Sequence, residues 1–473
     1  MRSRALIRWL LSLAMLTGAL GLGAAGPAAA TGGTGTDILD KLEAIPGMTV
    51  VSESTPSPQH RFFVLGYEQP VDHANPSAGT FVQRVTLLHR SESRPMVLET
   101  SGYDLYTSPY RAEVTRLLDG NQLSTEQRYF GESRPADPTW SKLNIFQAAA
   151  DHHRLVEALK PVYTAKWIST GVSKGGMTSV YHRRFFPDDV DGTVAYASPN
   201  DVVDSDDSAY DQFFEQVGNE ECRNDLDAIQ REAFVRREPM VERYKAWAQD
   251  AGATFELTGS ADEAYESVLL DLVFVFWQYG SEADCDSVPP ITATTDEIYD
   301  FVDAVVGFYF YTDQVLDPYG PFFFQAGTQI GYPTLVNPHL SGLLKYPGTN
   351  LPRNFVPDSI PMTYDDAAMA DVDTWVQDQA SEVMFIYGSA DPFSSEPFHI
   401  TVGPNGQSVR DTWRYTVDGG NHLSNIADLP DTEKAAATAD LRRWAGVDSS
   451  VALLGERFPQ LDARPAALER RPL

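Results

Sequence analysis

Cysteine is nearly absent. The 473 residues hold two, Cys222 and Cys285, and neither has a second Cys or a His at ligand spacing. That argues against a structural metal site and leaves room for one disulfide at most. Basic residues are also scarce, with 36 Lys and Arg against 66 Asp and Glu, a formal net charge of −30. A surface of that sign repels phosphate backbones and anionic lipid, so neither nucleic acid nor a membrane surface is an expected partner. Beyond residue 30 no apolar stretch approaches the ~20 residues of a spanning helix; DLVFVFWQYG (271–280) is apolar but far too short. Also missing are H-E-x-x-H, G-x-G-x-x-G behind a strand and G-x-x-x-x-G-K-[ST]. No metal, dinucleotide or nucleotide cofactor is therefore expected.

What is present describes a folded, exported protein. Hydrophobic content of 42% and aromatic content of 11% suit a globular chain, whose length fits a catalytic domain with a large insertion, or two domains. Residues 1–30 begin with Arg2, Arg4 and Arg8, run apolar from Trp9 to about Leu22, and end in Ala28-Ala29-Ala30. This is the order of a secretory signal peptide, with cleavage expected after Ala30; the alternative is an uncleaved anchor. Losing the three arginines makes the remaining chain more acidic still, which favours solubility outside the cell. In that compartment Cys222 and Cys285 are expected to pair.

The texture divides the rest into three parts. Residues 31–45 lead into a short helix, ILDKLEAI, and from about 47 polar–apolar alternation predicts an antiparallel set with a turn at HANPSAG (73–79). Then PMVLETSGY (95–103), AKWISTG (165–171) and VDGTVAYASP (190–199) read as buried strands alternating with the helical runs 111–120, 144–160 and 175–187. Such alternation predicts a parallel sheet with helices on both faces over 31–199. From 200 to 375 the period is mostly helical, so this stretch is read as a helical insertion holding both cysteines. Strand texture returns over 376–473, at SEVMFIYGSADP and TWRYTVDGGNH, before a last helix at 432–446 and a weakly periodic tail from 447.

The chemistry starts at GVSKGG, 171–176. It lies between a strand and a helix, the setting of a nucleophile elbow, in which glycines around a strained serine let the helix pack close to the strand. Ser173 is the candidate nucleophile, and a serine hydroxyl needs a base held by a third group. Asp391 follows one late strand and His422 the last, in the order serine, acid, histidine. Asp418, four residues before His422, is the alternative acid or a turn residue. His152, His153 and His182 fall in helical patterns and read as packed or solvated, and His399 is a possible lining residue. The Lys174 N–H is the expected oxyanion donor, its side chain solvated, and Gly102 or Tyr103 supplies the second donor.

QPVDHANPSAGTFVQRV (69–85), EQRYFGES (126–133), GVSKGGMTS (171–179), FFFQAGTQIGY (322–332), YGSADPFS (387–394) and GGNHLS (419–424) occur in that order. Together they resemble secreted serine exopeptidases of the Pro-Xaa carboxypeptidase and dipeptidyl-peptidase-II group. They resemble in particular its bacterial relatives, the PS-10-type tripeptidyl and prolyl tri/tetrapeptidyl aminopeptidases. The resemblance implies an α/β-hydrolase fold with a helical cap before the acid-bearing strand. It also implies a Ser173–Asp391–His422 triad and release of short peptides from free N-termini, with Pro preferred at the cleaved position. An α-ammonium must then meet carboxylates, for which Glu126 and Glu132 are candidates unless they only hold their loop through Arg128 or Arg134. Trp277, Tyr279, Phe322 and Phe323 are candidates for a proline-accepting wall, or plain core. The rivals are a secreted lipase or esterase, a dipeptidyl peptidase or Pro-Xaa carboxypeptidase, and a non-catalytic binding protein on a decayed scaffold.

Overall fold

A computed structural model describes residues 36–136, 138–403, 408–448, 457–463 and 465. The signal-peptide reading of residues 1–30 lies outside them. Nine strands form one sheet: β1 (Met48–Ser57), β2 (His60–Pro70), β3 (Thr80–His89), β4 (Met96–Thr100), β5 (Asn121–Thr125), β6 (Trp167–Val172), β7 (Gly192–Tyr196), β8 (Val383–Gly388) and β9 (Thr412–Val417). Their spatial order is β1-β2-β3-β5-β4-β6-β7-β8-β9. The β1–β2, β2–β3 and β3–β5 pairs are antiparallel, and every pair from β5–β4 to β8–β9 is parallel. The β4/β5 swap is the crossover that a right-handed strand–helix–strand unit produces. This is an α/β-hydrolase fold.

Helices cover both faces because the parallel strands are apolar on both. Before β7 these are α1 (Ile38–Glu43), α2 (Glu113–Leu118), α3 (Ile145–Leu159) and α4 (Lys174–Phe185). Leu155, Val156 and Leu159 of α3 pack on Leu65, Leu87 and Leu98. On the opposite face Val114 and Leu118 of α2 meet Leu441 and Trp444, from the helix Asp431–Trp444, over Val97, Val194 and Ile386. Each such fully buried aliphatic contributes about 1.5–3 kcal/mol.

Between β7 and β8 the chain leaves the sheet. The described residues there form α5 (Ser208–Gln216), α6 (Glu220–Val235), α7 (Arg237–Ala251), α8 (Ala261–Leu270), α9 (Leu272–Tyr279), α10 (Thr295–Val305), α11 (Asp313–Gln325) and α12 (Ala367–Asp378). Cys222 of α6 and Cys285, just after α9, are joined by a disulfide. After β9 comes α13 (Asp431–Trp444). No helix among the described residues is long and apolar enough to cross a membrane.

Weak periodicity predicts a loosely ordered tail from 447, but its described residues are held in place. Arg111 Nε and Nη2 hold both oxygens of Asp462 at 2.7 and 2.9 Å, and the Arg111 N–H donates to the Leu461 carbonyl at 2.7 Å. An ion pair of this kind leaves no hydrophobic period in the sequence, which is why the tail reads as weakly patterned.

Candidate active site

The parallel strands all end on one side of the sheet, where α/β folds collect their functional loops. Ser173 stands there between β6 and α4 with φ 56° and ψ −130°. That is a strained conformation for a residue with a side chain, costing of order 1–3 kcal/mol. Its N–H is fixed by the Tyr196 carbonyl at 2.8 Å. Two glycines make the turn possible by close approach. A Cβ on Gly175 would overlap the Thr100 carbonyl oxygen, and one on Gly102 would stand 2.6 Å from the Gly175 nitrogen. The loop after β4 and the first turn of α4 therefore touch backbone to backbone. A Gly175→Ala chain is expected to lose about 1–3 kcal/mol of stability from overpacking. Thermal unfolding reads that loss, and its folded fraction should hydrolyse substrate more slowly because the 101–103 loop has been pushed aside.

His422 follows β9 in a loop held from two sides. Its N–H donates to the Gln278 carbonyl at 3.0 Å, and Asn421 Nδ2 donates to the Tyr279 and Gly280 carbonyls at 2.9 and 3.0 Å. Its ring faces Tyr279 edge-on and lies 5.3 Å from the Phe393 ring. Asp391, just after β8, is fully buried, and its Oδ2 is 2.9 Å from His422 Nδ1. The Phe393 N–H and Ser394 hydroxyl donate to Asp391 Oδ1 and Oδ2, each at 3.2 Å. A carboxylate so placed orients the imidazole and leaves Nε2 to the cavity, a cleft of about 360 Å³ lined by both Ser173 and His422. Asp418 is exposed, as is His399. His152 meets the Thr125 hydroxyl, and His153 and His182 share Asp189.

The Lys174 side chain departs from expectation. It is buried, donates to the Gly102 carbonyl, and lies 5.0 and 4.9 Å from the centres of the Tyr103 and Phe130 rings. Two aromatic faces and a carbonyl replace water around the ammonium, so the side chain braces the 101–103 loop instead of reaching solvent. Of the two second-donor candidates, the Tyr103 N–H is engaged by the Ser101 hydroxyl at 3.1 Å, which favours Gly102.

The carboxylate and aromatic candidates separate clearly. Glu126 is fully buried and does not line the cavity. Its oxygens accept from Arg84 (2.6 Å), the N–H groups of Leu105, Glu132 and Ser133 (3.0, 3.0 and 3.1 Å) and the Ser133 hydroxyl (2.8 Å). Glu132 is exposed and pairs with Arg84. Both hold their loop, through Arg84 rather than Arg128 or Arg134. Arg128 is itself buried, paired bidentately with Asp151 at 2.7 Å, and donates to the Pro70 and Val71 carbonyls. His73 joins the same Asp151 at 2.7 Å, so QPVDHANP and EQRYFGES meet in one buried ionic knot. Of the aromatics, Tyr279 and Phe322 line the cavity, whereas Trp277 and Phe323 are core. Phe323 packs on Phe355 with ring centres 4.4 Å apart, and Trp277 fills the space beside Gly218.

Sequence reasoning missed Tyr106, Tyr110 and Phe393 on the cavity wall, and above all Asp201. Asp201 follows β7 in the run DVVDSDD, in which Asp201, Asp204 and Asp207 recur every three residues at the sheet's functional edge; that spacing was a legible signal.

A family model for PS-10 peptidase S37 matches residues 32–467. The chain is 53% identical over 445 residues to the prolyl tri/tetrapeptidyl aminopeptidase of Streptomyces mobaraensis, covering 94% of this chain and 92% of that one. Among solved structures it resembles the proline iminopeptidase of Mycobacterium smegmatis (14% identity, TM-score 0.35, 80% of this chain and 98% of that one). It also resembles epoxide hydrolase A of Mycobacterium thermoresistibile (16% identity, TM-score 0.35, the same coverage). Both structural likenesses are distant.

Proposed function

The chain belongs to the PS-10 peptidase S37 family and is a serine peptidase, and from that premise we propose that it is a secreted exopeptidase. In this reading it releases tripeptides, and tetrapeptides as the longer alternative, from free N-termini, with proline preferred at the cleaved position. The observation that carries the proposal is that Ser173 and His422 open on one cavity, with His422 Nδ1 2.9 Å from a fully buried Asp391.

His422 Nε2 takes the Ser173 proton as the oxygen attacks the scissile carbonyl. Asp391 keeps the imidazole in the tautomer that can accept that proton and stabilises the imidazolium. The oxyanion faces the Lys174 N–H at the head of α4 and the Gly102 N–H on the loop that packs against it. The imidazolium then protonates the leaving amine, and water, deprotonated by the same His422, hydrolyses the acyl-enzyme. Tyr103, Tyr279, Phe322 and Phe393 offer ring faces on which a pyrrolidine packs. The relative's activity supports the length of the released peptide. Secretion is supported by the pattern of residues 1–30 and by the Cys222–Cys285 bridge, since disulfides persist in oxidising compartments.

A panel of X-Pro, X-X-Pro and X-X-X-Pro chromogenic amides, each with free and acetylated N-termini, tests this. The free tri- and tetrapeptidyl members should be cleaved, and their acetylated forms about 10²-fold more slowly, as expected for losing one partner of a desolvated charge pair. Equal cleavage of both forms would remove the aminopeptidase reading. Turnover of p-nitrophenyl esters without any peptidyl-Pro amide would point to an esterase.

A further inference from the structure

Asp201 is only 3% exposed and lines the cavity that holds Ser173 and His422. Neither of its carboxylate oxygens has a well-formed hydrogen bond among the described residues, the nearby Tyr332 N–H being directed to Asp204. Its neighbours do have partners, in a regular series. The strip after α11 donates alternate N–H groups to three of the aspartates that follow Asp201. Tyr332 donates to Asp204 (3.1 Å), Thr334 to Asp207 (3.0 Å) and Val336 to Asp211 (3.0 Å). Asp201 is next in that row and is the one at the cavity. Before Tyr332 the strip gives way to the irregular end of α11, where residues Ala326–Ile330 form a wide i→i+5 turn. That turn delivers Gly331, and any Cβ at 331 would overlap the Asp201 carboxylate. FFFQAGTQIGY thus keeps open the space that this carboxylate fills.

A desolvated, unpaired carboxylate is costly and marks a place built for a cation. The charge around it has the same sign. The Asn200 N–H is bonded to the Glu396 carbonyl at 2.8 Å, which brings the loop after β8 alongside. Burial and then the charges of Glu396, Asp204 and Asp207 push the Asp201 carboxyl up to about 8, with the nearby Tyr332 N–H offsetting them in part. Burial raises Glu396 to about 7 and Asp207 to about 6 in the same way. These groups share a deficit of positive charge that an arriving ammonium would fill. The other acids on the cavity wall, Glu99, Glu113 and Asp462, differ: Glu99, on β4, has a partner of its own. Glu113 accepts from the Tyr196 hydroxyl and the Ile426 and Ala427 N–H groups, and Asp462 is held by Arg111. Among the described residues no group of three or more His, Cys, Asp or Glu is disposed to hold a metal ion.

We infer that Asp201, seated by Gly331 and flanked by Glu396, Asp204 and Asp207, is the carboxylate that binds the α-ammonium of the substrate's N-terminal residue. The inference rests on the aminopeptidase reading above and names the residue that enforces it. The distance from this carboxylate to Ser173 would then set how many residues lie between amine and scissile bond. At about 3.3–3.6 Å per extended residue, a subsite fixed at one place admits only a narrow range of lengths.

The test is the ratio of kcat/KM for one tripeptidyl-Pro chromogenic amide in its free and acetylated forms, measured on wild type, Asp201→Asn, Asp201→Glu and Glu99→Gln. A ratio within one enzyme does not depend on how much of it is folded. Wild type should prefer the free amine by about 10²-fold. Asp201→Asn should bring the ratio to within about threefold of unity, mostly through KM of the free amine, and Asp201→Glu should restore part of it. Glu99→Gln should keep the wild-type ratio. If Asp201→Asn does not fold, Glu396→Gln is read instead, with an expected fall of about three- to tenfold from weaker attraction. A wild-type ratio near one sinks the aminopeptidase reading itself. A discriminating wild type with an unchanged ratio in Asp201→Asn, an equal loss on both substrates, or loss of discrimination in Glu99→Gln alone each overturns the assignment to Asp201.

Discussion

Ser173→Ala should lower kcat on a peptidyl-Pro amide by about 10⁴–10⁶-fold, while the chain stays folded. In the proposed mechanism the oxygen removed is the atom that forms the acyl bond. What survives is catalysis by the oxyanion donors and by binding alone, the residual that serine hydrolases retain without their nucleophile. Alanine tolerates the φ 56° backbone no better and no worse than serine, so the unfolding midpoint should hardly move. Combining Ser173→Ala with His422→Ala should cost little more than either alone, because the two act as one unit. Burst kinetics and a labelling stoichiometry with a serine-directed phosphonate give independent readings. A Ser173→Ala enzyme with near-wild-type turnover would take the nucleophile away from this turn.

Asp391→Asn is expected to cost about 10⁴-fold in kcat without unfolding the protein. The physical reason is a tautomer. Asp391 Oδ2 accepts from His422 Nδ1 at 2.9 Å, and Oδ1 is occupied by the Phe393 N–H. In the variant, the amide oxygen best satisfies the Phe393 N–H, so its NH₂ faces the imidazole. Nδ1 must then accept, the ring proton moves to Nε2, and the nitrogen facing Ser173 can no longer take a proton. Activity should partly return at high pH, where direct ionisation of the serine replaces the base. A fall of less than tenfold would mean that another acid orients His422. Asp418 is the nearest in sequence, but it is exposed.

The elements whose signal is local were legible beforehand. GVSKGG between AKWIST and a helix announces its own geometry, because its glycines flank a serine at a strand–helix junction and match neither phosphate-binding glycine pattern of such junctions. The strand ends that carry Asp391 and His422 were likewise read from apolar runs that stop in polar, Gly-containing loops. Facing was not legible. Trp277 and Tyr279 are two residues apart on α9, about 200° around the helix, so one is core and the other reaches the cavity. Phe322 and Phe323, about 100° apart on α11, divide in the same manner. Glu126 looked available because a loop acid is usually exposed; five donors from three separate segments consume it. Asp201 escaped for the converse reason. Its importance lies in a donor it lacks, and that is decided by a strip more than a hundred residues downstream.

The bonds that hold the His422 loop run to Gln278, Tyr279 and Gly280, at the end of α9. Phe393, beside Asp391, rests on Phe274 of the same helix, with ring centres 4.9 Å apart. The helices between β7 and β8 therefore carry part of the scaffold of the imidazole and its carboxylate. Recombination between relatives would meet this coupling directly. A chimera that exchanged only residues 200–375 to borrow another enzyme's substrate preference would also replace the carbonyls on which its own histidine loop is seated. The smallest unit that can be transplanted intact is the helical segment together with the loops after β8 and β9.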